Sequence, residues 1–425
     1  MTMAGTSALR AERLPLTNGL TLLHNRAAAN PSVVIRALVR AGASREAVAD
    51  QGLAPLVGRM LRQGTASIHK EALAEELDGM GAGLSVDVGY TLVSASIKCL
   101  SADFARALEI LGDLLQRPTF PEVELERVRG QVLTELKEME DNTRVVAERA
   151  WRGLAYPADH RYSRLTAGTP ETIGRFSRDD VASFHREWYG PNQTTLIVVG
   201  DVAVGEAAAA AERVLGQWSG VRADPVQASL PPTEPPSAET RRVTMAGKTQ
   251  ADVMVGTTTI DRASADYYAL SFANHILGRM YFMGRFGEKV RDEQGLAYYA
   301  YSELQASLGR GPWLVRAGVN PANVERALTS IRAELARFQA DGPTEEEQID
   351  GVSSLLGGLP RQLETNEGMA AVLSEIELYD LGLDYLERFP EIIRSLTRDQ
   401  VTQAARTWLP EKGLVTAIAG PATPP

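Results

Sequence analysis

Short β-branched runs and longer segments with helical spacing of apolar residues follow one another along the chain. Residues 32–39 (SVVIRALV) and 194–199 (TTLIVV) lie between turn residues, which predicts two strands. In 102–115 the apolar positions recur every three or four residues, which predicts an amphipathic helix. A further helix is predicted from Pro121 to Met139, because proline suits the first helical turn and the apolar spacing continues. Strands cluster beside pairs of helices, and this favours an α+β fold.

The two halves of the sequence resemble each other at an offset of 220 residues. Residues 176–200 and 396–420 are both predicted to form a capped helix, a short loop and an apolar strand that ends in glycine. The triplet Arg-Ala-Leu at 106–108 recurs at 326–328, at the same offset. We therefore predict two similar domains that arose by duplication, each a mainly antiparallel sheet packed with helices.

A proline-rich stretch separates the two halves. Residues 221–240 hold five prolines and few large apolar residues. Proline resists both helix interiors and central strands, so this stretch is predicted to be a linker. The first domain is then expected over 1–220 and the second over 241–425, and each has a plausible size for a domain.

Composition excludes several classes of protein. Asp and Glu outnumber Lys and Arg by 54 to 44, which argues against a nucleic-acid partner. The single cysteine, Cys99, excludes an intramolecular disulfide and a cysteine-rich zinc site. The sequence has no apolar run long enough for a membrane span, and residues 1–14 lack the apolar stretch of a signal peptide. A cytoplasmic protein without a membrane partner is therefore expected.

Residue chemistry alone predicts no autonomous active site. The five histidines are too far apart in sequence for an HxxxH pair: His24, His69, His160, His185 and His275. His185 lies beside Arg186 and Glu187, which indicates a solvated helix face. There is no GxxxxGK[ST], GxGxxG or GxSxG motif. Cys99 ends an alternating stretch and is interpreted as a small buried hydrophobe.

Residues 52–65 (GLAPLVGRMLRQGT) resemble the zinc-binding helix of the pitrilysin and insulinase-type peptidases, the inverzincins, whose pattern is close to GLAHxxEHMLxxGT. Pro55, Gly58 and Arg59 stand where that family has its first histidine, its glutamate base and its second histidine. The family's third ligand is a downstream glutamate, and Glu135 has the matching spacing. The resemblance implies that one ligand remains and that this chain binds no metal. Taken from the residues alone, Glu135 is one acid on an acid-rich helical face, and this interpretation is preferred because a lone carboxylate does not hold zinc. Proline and glycine weaken a helix interior, although proline costs little in the first turn.

A second segment, RDEQGLAY, resembles the family's arginine–tyrosine motif, with Arg291 as its first residue and Tyr298 as its last. In the family this pair reaches the scissile peptide from the side opposite the zinc. An arginine and a phenol can donate hydrogen bonds to a carbonyl oxygen that gains negative charge. In the alternative interpretation, Arg291 pairs with Glu288 or Asp292, and Tyr298 is an ordinary strand residue.

The resemblance covers nearly the whole chain, and it implies a non-catalytic subunit. Such subunits occur in two-subunit members of the family, for example the alpha subunit of mitochondrial processing peptidase and bacterial counterparts. A homologous partner with an intact HxxEH would carry the zinc, and the substrates would be peptides. The isolated chain would then not be an enzyme. The alternative is a structural core-type subunit of a larger complex without a peptidase role; a lone enzyme with other chemistry lacks a visible nucleophile and base.

Overall fold

The structure, a computed structural model, describes residues 11–220, 236–410 and 413–422. These residues form eleven strands: β1 Glu12–Pro15, β2 Thr21–Arg26, β3 Ser32–Val39, β4 Gly83–Val88, β5 Val93–Leu100, β6 Thr194–Gly200, β7 Thr240–Thr244, β8 Ala251–Thr258, β9 Ala297–Leu304, β10 Pro312–Val319 and β11 Val415–Gly420. Their helices are α1 Leu53–Met60, α2 Lys70–Gly79, α3 Phe104–Gln116, α4 Glu122–Glu140, α5 Thr143–Ala155, α6 Pro170–Arg175, α7 Arg178–Trp188, α8 Val204–Leu215, α9 Tyr267–Gly278, α10 Gly284–Phe286, α11 Val324–Asp341, α12 Glu345–Leu363, α13 Asn366–Leu378, α14 Tyr385–Ser395 and α15 Arg398–Trp408. None of these described helices is long and apolar enough to cross a membrane.

The described chain divides into two compact units, and neither is continuous in sequence. The first unit contains 11–136, 166–220 and 359–387, and the second contains 137–165, 236–358 and 388–422. Helix α5 therefore belongs to the second unit, and α13 belongs to the first. Of the linker predicted over 221–240, residues 221–235 lie outside the described residues.

Each unit is built on one mainly antiparallel sheet, which confirms the predicted α+β fold of two similar domains. The strand order is β1-β2-β6-β3-β5-β4 in the first unit and β7-β11-β8-β10-β9 in the second. Among the strands that the structure describes, only the pairs β2–β6 and β7–β11 are parallel. The pairing registers of the central strands also correspond: Ser32 lies opposite Leu100, and Ala251 lies opposite Val319. Adding 219 to both members of the first pair gives the second, which supports duplication.

Both faces of the sheet in the second unit are buried. Successive side chains of β8 point to opposite faces, and those on each face have packing partners. Val253 and Val255 pack in a core with α9, α11 and α15. The alternate residue Asp252 accepts a hydrogen bond from Thr143 of α5. Trp151, also in α5, is fully buried and donates from Nε1 to the carbonyl of Val415, at 3.2 Å. Helix α5 is thus an integral part of the second unit.

Helix α13 has the corresponding place in the first unit. Its Asn366 donates to the carbonyl of Ser32 at 3.0 Å, and its Glu377 accepts from the hydroxyl of Thr195 at 3.0 Å. These contacts attach α13 to β3 and β6. The two helices that change units, α5 and α13, therefore both pack against central strands.

The local predictions and the described elements agree at most points. Strands β3 and β6 and helices α3 and α4 lie where the pattern predicts them. Cys99 is buried on β5, and burial raises the pKa of its thiol to about 11, so it is a buried hydrophobe as expected. The prediction of a solvated face at His185 is wrong. His185 is buried and lies 2.9 Å from the Leu115 carbonyl, because the apolar face of α7 includes the position four residues after Val181.

Candidate functional site

Helix α1, which carries the segment predicted to resemble a zinc motif, begins at Leu53, and a buried carboxylate binds its first residues. Glu46 accepts hydrogen bonds from the backbone N–H groups of Gly52, at 3.1 Å, and Ala54, at 2.7 Å. The negative charge also suits the positive end of the helix dipole. Pro55 is the third helical residue, where a backbone N–H would have no partner within the helix. Pro55 therefore lies in the first turn, where proline costs little.

Gly58 is enclosed by the neighbouring edge strand. It is buried, and a Cβ atom added to it would overlap Cγ2 of Val88 on β4. Valine is branched at Cβ and has few rotamers, so it cannot easily move aside. The position where the resemblance implies a glutamate base thus has no room for any side chain beside Val88.

Arg59 and Glu135 form a two-pronged ion pair. Nη1 of Arg59 donates to Oε1 of Glu135 at 2.8 Å, and Nη2 donates to Oε2 at 2.6 Å. About half of each side chain is exposed, with 42% for Arg59 and 49% for Glu135. These hydrogen bonds hold the pKa of the Glu135 carboxyl below its ordinary value. The structure therefore brings together the two predicted positions, which are 76 residues apart in sequence.

The residues present do not fit a zinc ion. Pro55 and Gly58 offer no donor atom, and Arg59 is a permanent cation that already occupies both carboxylate oxygens of Glu135. Zinc needs several neutral or anionic nitrogen, sulfur or oxygen ligands in a tetrahedral arrangement. In the part of the chain that the structure describes, no group of three or more His, Cys, Asp or Glu side chains could hold a metal ion.

Arg291 lies in the second unit, on a π-helical turn that spans Gly287–Asp292. π-Helical turns are rare and are often found at functional sites. Nη1 of Arg291 donates to Oδ1 of Asp292 at 2.9 Å, and its guanidinium carbon lies 5.2 Å from the ring centroid of Phe282. The side chain remains 37% exposed. The predicted alternative of a pair with Asp292 is thus present, together with an aromatic contact.

Tyr298 projects from a β-bulge in the edge strand β9. Tyr299 lies opposite Gly318 and Ala297 lies opposite Val319, so Tyr298 is an extra residue between two paired positions. Bulges redirect a side chain and are common beside active sites. Tyr298 is 79% exposed. Its phenol is therefore free of the sheet core, and its exposure is compatible with a contact to a second molecule.

Two residues next to these positions were not singled out in the sequence. Val88 closes the space beside Gly58, and nothing in a single sequence relates the two positions. Phe282 lies beneath Arg291 and is 68% exposed. The consecutive aromatic residues Tyr281 and Phe282 are visible in the sequence between two methionines, but no local pattern relates them to Arg291.

Comparison with known proteins gives the family. Residues 21–161 match the model of the insulinase family, peptidase family M16, and residues 175–352 match that of the peptidase M16 inactive domain. This chain belongs to peptidase family M16.

Relatives extend over nearly the whole length. The crystal structure of a peptidase M16 inactive domain from Pseudomonas fluorescens has 27% identity and a TM-score of 0.91, and the match covers 97% of this chain and 98% of that one. An uncharacterized zinc protease of Bacillus subtilis is 23% identical over 84% of this chain and 86% of its own. The beta subunit of the mitochondrial processing peptidase of Bos taurus is 24% identical over 90% of this chain and 79% of its own.

Proposed function

We propose that this chain is the non-catalytic subunit of a two-subunit zinc metalloendopeptidase. A homologous partner with an intact HxxEH would bind zinc, and this chain would close the chamber and contact peptide substrates in trans. The observation that carries the proposal is the contrast between the two motifs. Arg59 occupies the retained carboxylate of Glu135, whereas Tyr298 is presented to solvent from a bulge.

The chemistry proposed for the second motif needs only hydrogen-bond donors. Arg291 and Tyr298 would donate to a peptide carbonyl oxygen as it gains negative charge at the partner's zinc site. The aspartate beside Arg291 pairs through Nη1 and leaves other guanidinium N–H groups for a substrate. A relative whose name denotes one subunit of a processing peptidase supports a partnered arrangement. A cytoplasmic location stays a prediction.

The test starts from the native host. The chain is purified with whatever accompanies it, and zinc content and cleavage of a quenched peptide are measured on the complex and on the chain alone. A partner with HxxEH, and zinc and activity confined to the complex, would support the proposal. Zinc-free, inactive material without a peptidase-like partner would contradict it and favour a structural core-type subunit.

A second measurement tests the residues. Replacement of Arg291 by Ala together with Tyr298→Phe should lower turnover of the complex by about tenfold or more, the effect of losing hydrogen-bond donors to a developing oxyanion. The subunits should stay associated in size-exclusion chromatography. Unchanged turnover would contradict a role of these two residues in catalysis.

A further inference from the structure

Two adjacent aromatic side chains are exposed in the loop between α9 and α10. Tyr281 is 75% exposed and Phe282 is 68% exposed. Single exposed apolar residues need no explanation, but a group of them marks a surface that contacts another molecule. The Tyr281 hydroxyl donates a hydrogen bond to Asp350 of α12 at 2.7 Å.

Two backbone positions of this loop lie in the left-handed region. Tyr281 has a φ of +58°, in the left-handed region that a bulky residue rarely adopts. Gly284 has a φ of +61°, and a Cβ there would overlap the backbone of α9. Backbone strain of this kind persists where the surrounding structure fixes it, and it is concentrated at binding sites. Rigid aromatic side chains also lose little conformational entropy when they bind a partner.

The exposed rings are next to the arginine of the second motif. The Arg291 guanidinium lies over the face of Phe282, at 5.2 Å from the ring centroid. Met283, the next residue of the loop, lies close to Gly287 on the π-helical turn. A Cβ atom added to Gly287 would overlap Cβ of Met283. A peptide whose carbonyl reached Arg291 would therefore have a neighbouring side chain beside the two rings.

The polar contact of the loop restricts which side chain this could be. The Tyr281 hydroxyl already donates to Asp350, and this hydrogen bond, with smaller contributions from burial and from acidic neighbours that include Glu346, raises the pKa of Tyr281 to about 12. An apolar side chain would cover the two rings without losing a hydrogen bond, whereas a polar one would lose its contacts with water.

We infer that Tyr281 and Phe282 form a subsite for an apolar side chain of the peptide substrate, directly beside the carbonyl that Arg291 would bind. This inference rests on the proposed function. The two aromatic residues then determine specificity: they select peptides with a large apolar residue over those with a polar one. The elements that present them are the end of α9, the turn at Gly284 and the hydrogen bond to Asp350.

The first test needs no partner. Fluorescein-labelled peptides that differ at one position, with Leu, Phe, Ser or Glu, are titrated with the full chain, and binding is followed by anisotropy. We expect the Leu and Phe peptides to bind about five- to tenfold more tightly than the Ser and Glu peptides. Phe282→Ser and Tyr281→Ser should remove this preference, whereas Phe282→Leu should keep most of it.

The variants have a matched control. Val123 on α4 is 80% exposed and lies in the first unit, so Val123→Ser removes an exposed apolar side chain elsewhere and should leave the preference unchanged. All the substituted side chains are exposed, and circular dichroism verifies that each variant is folded. Equal binding of the four peptides to the wild-type chain, or an unchanged preference in Phe282→Ser, would overturn the inference.

The reconstituted complex distinguishes this inference from the proposed function. There, Phe282→Ser should raise KM for the Leu peptide and leave kcat close to that of the wild type, whereas the loss of Arg291 should lower kcat. If the loss of Arg291 lowers kcat but Phe282→Ser does not change the preference, the subsite is refuted and the proposed function stands. If the chain binds apolar peptides through Phe282 but no zinc-bearing partner is found, the proposed function fails and the peptide subsite stands.

Discussion

The guanidinium of Arg59 and the carboxylate of Glu135 meet in two parallel hydrogen bonds of 2.8 and 2.6 Å. This fork-to-fork geometry is the strongest that an arginine and a carboxylate can form. A permanent cation thus occupies both oxygens of the carboxylate that the sequence predicts at the position of a metal ligand.

The contribution of this pair to stability should be small, because both side chains are about half exposed. In a double-mutant cycle with Arg59→Ala and Glu135→Ala, we expect a coupling free energy of about 0.2–1 kcal/mol from urea unfolding. Arg106 and Glu76 also form two hydrogen bonds at the surface. This pair is the matched control and should give a similar coupling free energy. A coupling of several kcal/mol for Arg59 and Glu135 alone would contradict this expectation.

The same pair gives a pH dependence whose sign follows from the lowered pKa of Glu135. The stabilisation is fully present above the pKa of the unfolded state, about 4.3, and is lost as the pH falls through the lower pKa of the folded state. The coupling measured at pH 7 should therefore disappear in strong acid.

Gly58 should be intolerant of even a methyl group. Gly58→Ala replaces a helical glycine, which by itself would stabilise a helix by about 1 kcal/mol. Overlap with Val88 should reverse this gain and destabilise the chain by about 1–3 kcal/mol in urea unfolding. The second substitution Val88→Ala should recover part of the loss.

Gly130→Ala is the control for this experiment, since Gly130 lies within α4 and a Cβ atom added to it would meet nothing within 4 Å outside the helix's own backbone. It should be neutral or stabilising. If Gly58→Ala were equally well tolerated, the close approach of α1 and β4 would not limit this position.

The parts of the fold that depend on local pattern could be predicted, and the parts that depend on distant partners could not. The β-branched residues of β3 and β6 and the apolar spacing of α3 define those elements because the relevant periodicity lies within each segment. The transfer of α5 and α13 between units has no local signal, since an apolar helix face does not specify which sheet will cover it. The prediction of a solvated face at His185 was wrong for the same reason, because the charged neighbours of His185 in sequence lie on another face of α7.

The candidate site divides in the same way. The spacing of the family motif predicted that positions 59 and 135 belong to one site, and the structure places Arg59 and Glu135 in contact. The exclusion of a side chain at Gly58, the bulge at Tyr298 and the ring beneath Arg291 arise from strand register and loop packing. These are tertiary features, and one sequence does not encode them in any local pattern.

A buried ion pair should fix helix α5 to the sheet of the second unit. Glu148 of α5 accepts from Arg316 of β10 at 2.9 Å and from Arg152 of its own helix at 2.9 Å, and both arginines are nearly fully buried. Burial alone would raise the pKa of Glu148, but the two arginines lower it overall. Glu148→Gln should destabilise the chain by about 3 kcal/mol, because the buried Arg152 loses its counter-charge and Arg316 keeps only Glu303, at 3.4 Å.

The corresponding helix of the first unit provides the control. Glu367 of α13 pairs with Lys98, and both side chains are about half exposed. Glu367→Gln should cost less than about 1 kcal/mol. Chemical denaturation of the two variants side by side tests this, and equal losses would refute the importance of burial.

His185 should make stability fall in mild acid. Burial lowers its pKa from 6.5 to about 4, although the contact with the Leu115 carbonyl opposes the shift. Between these two pH values the unfolded chain binds a proton that the folded chain does not. The free energy of unfolding should therefore decrease on acidification from pH 6.5 to 4, by up to about 1.4 kcal/mol per pH unit, and be independent of this group above pH 6.5.

Urea unfolding of His185→Gln across this range checks the assignment, since the variant should lose that part of the slope. Burial also lowers the pKa of His275 to about 4, so His275→Gln should remove a second, equal part. The double variant should then have the shallowest profile, because the two residues lie in different units and their effects should add. If the free energy of unfolding has the same pH dependence in His185→Gln as in the wild type, the His185 imidazole is protonated in the folded chain. Its burial then does not exclude the charge.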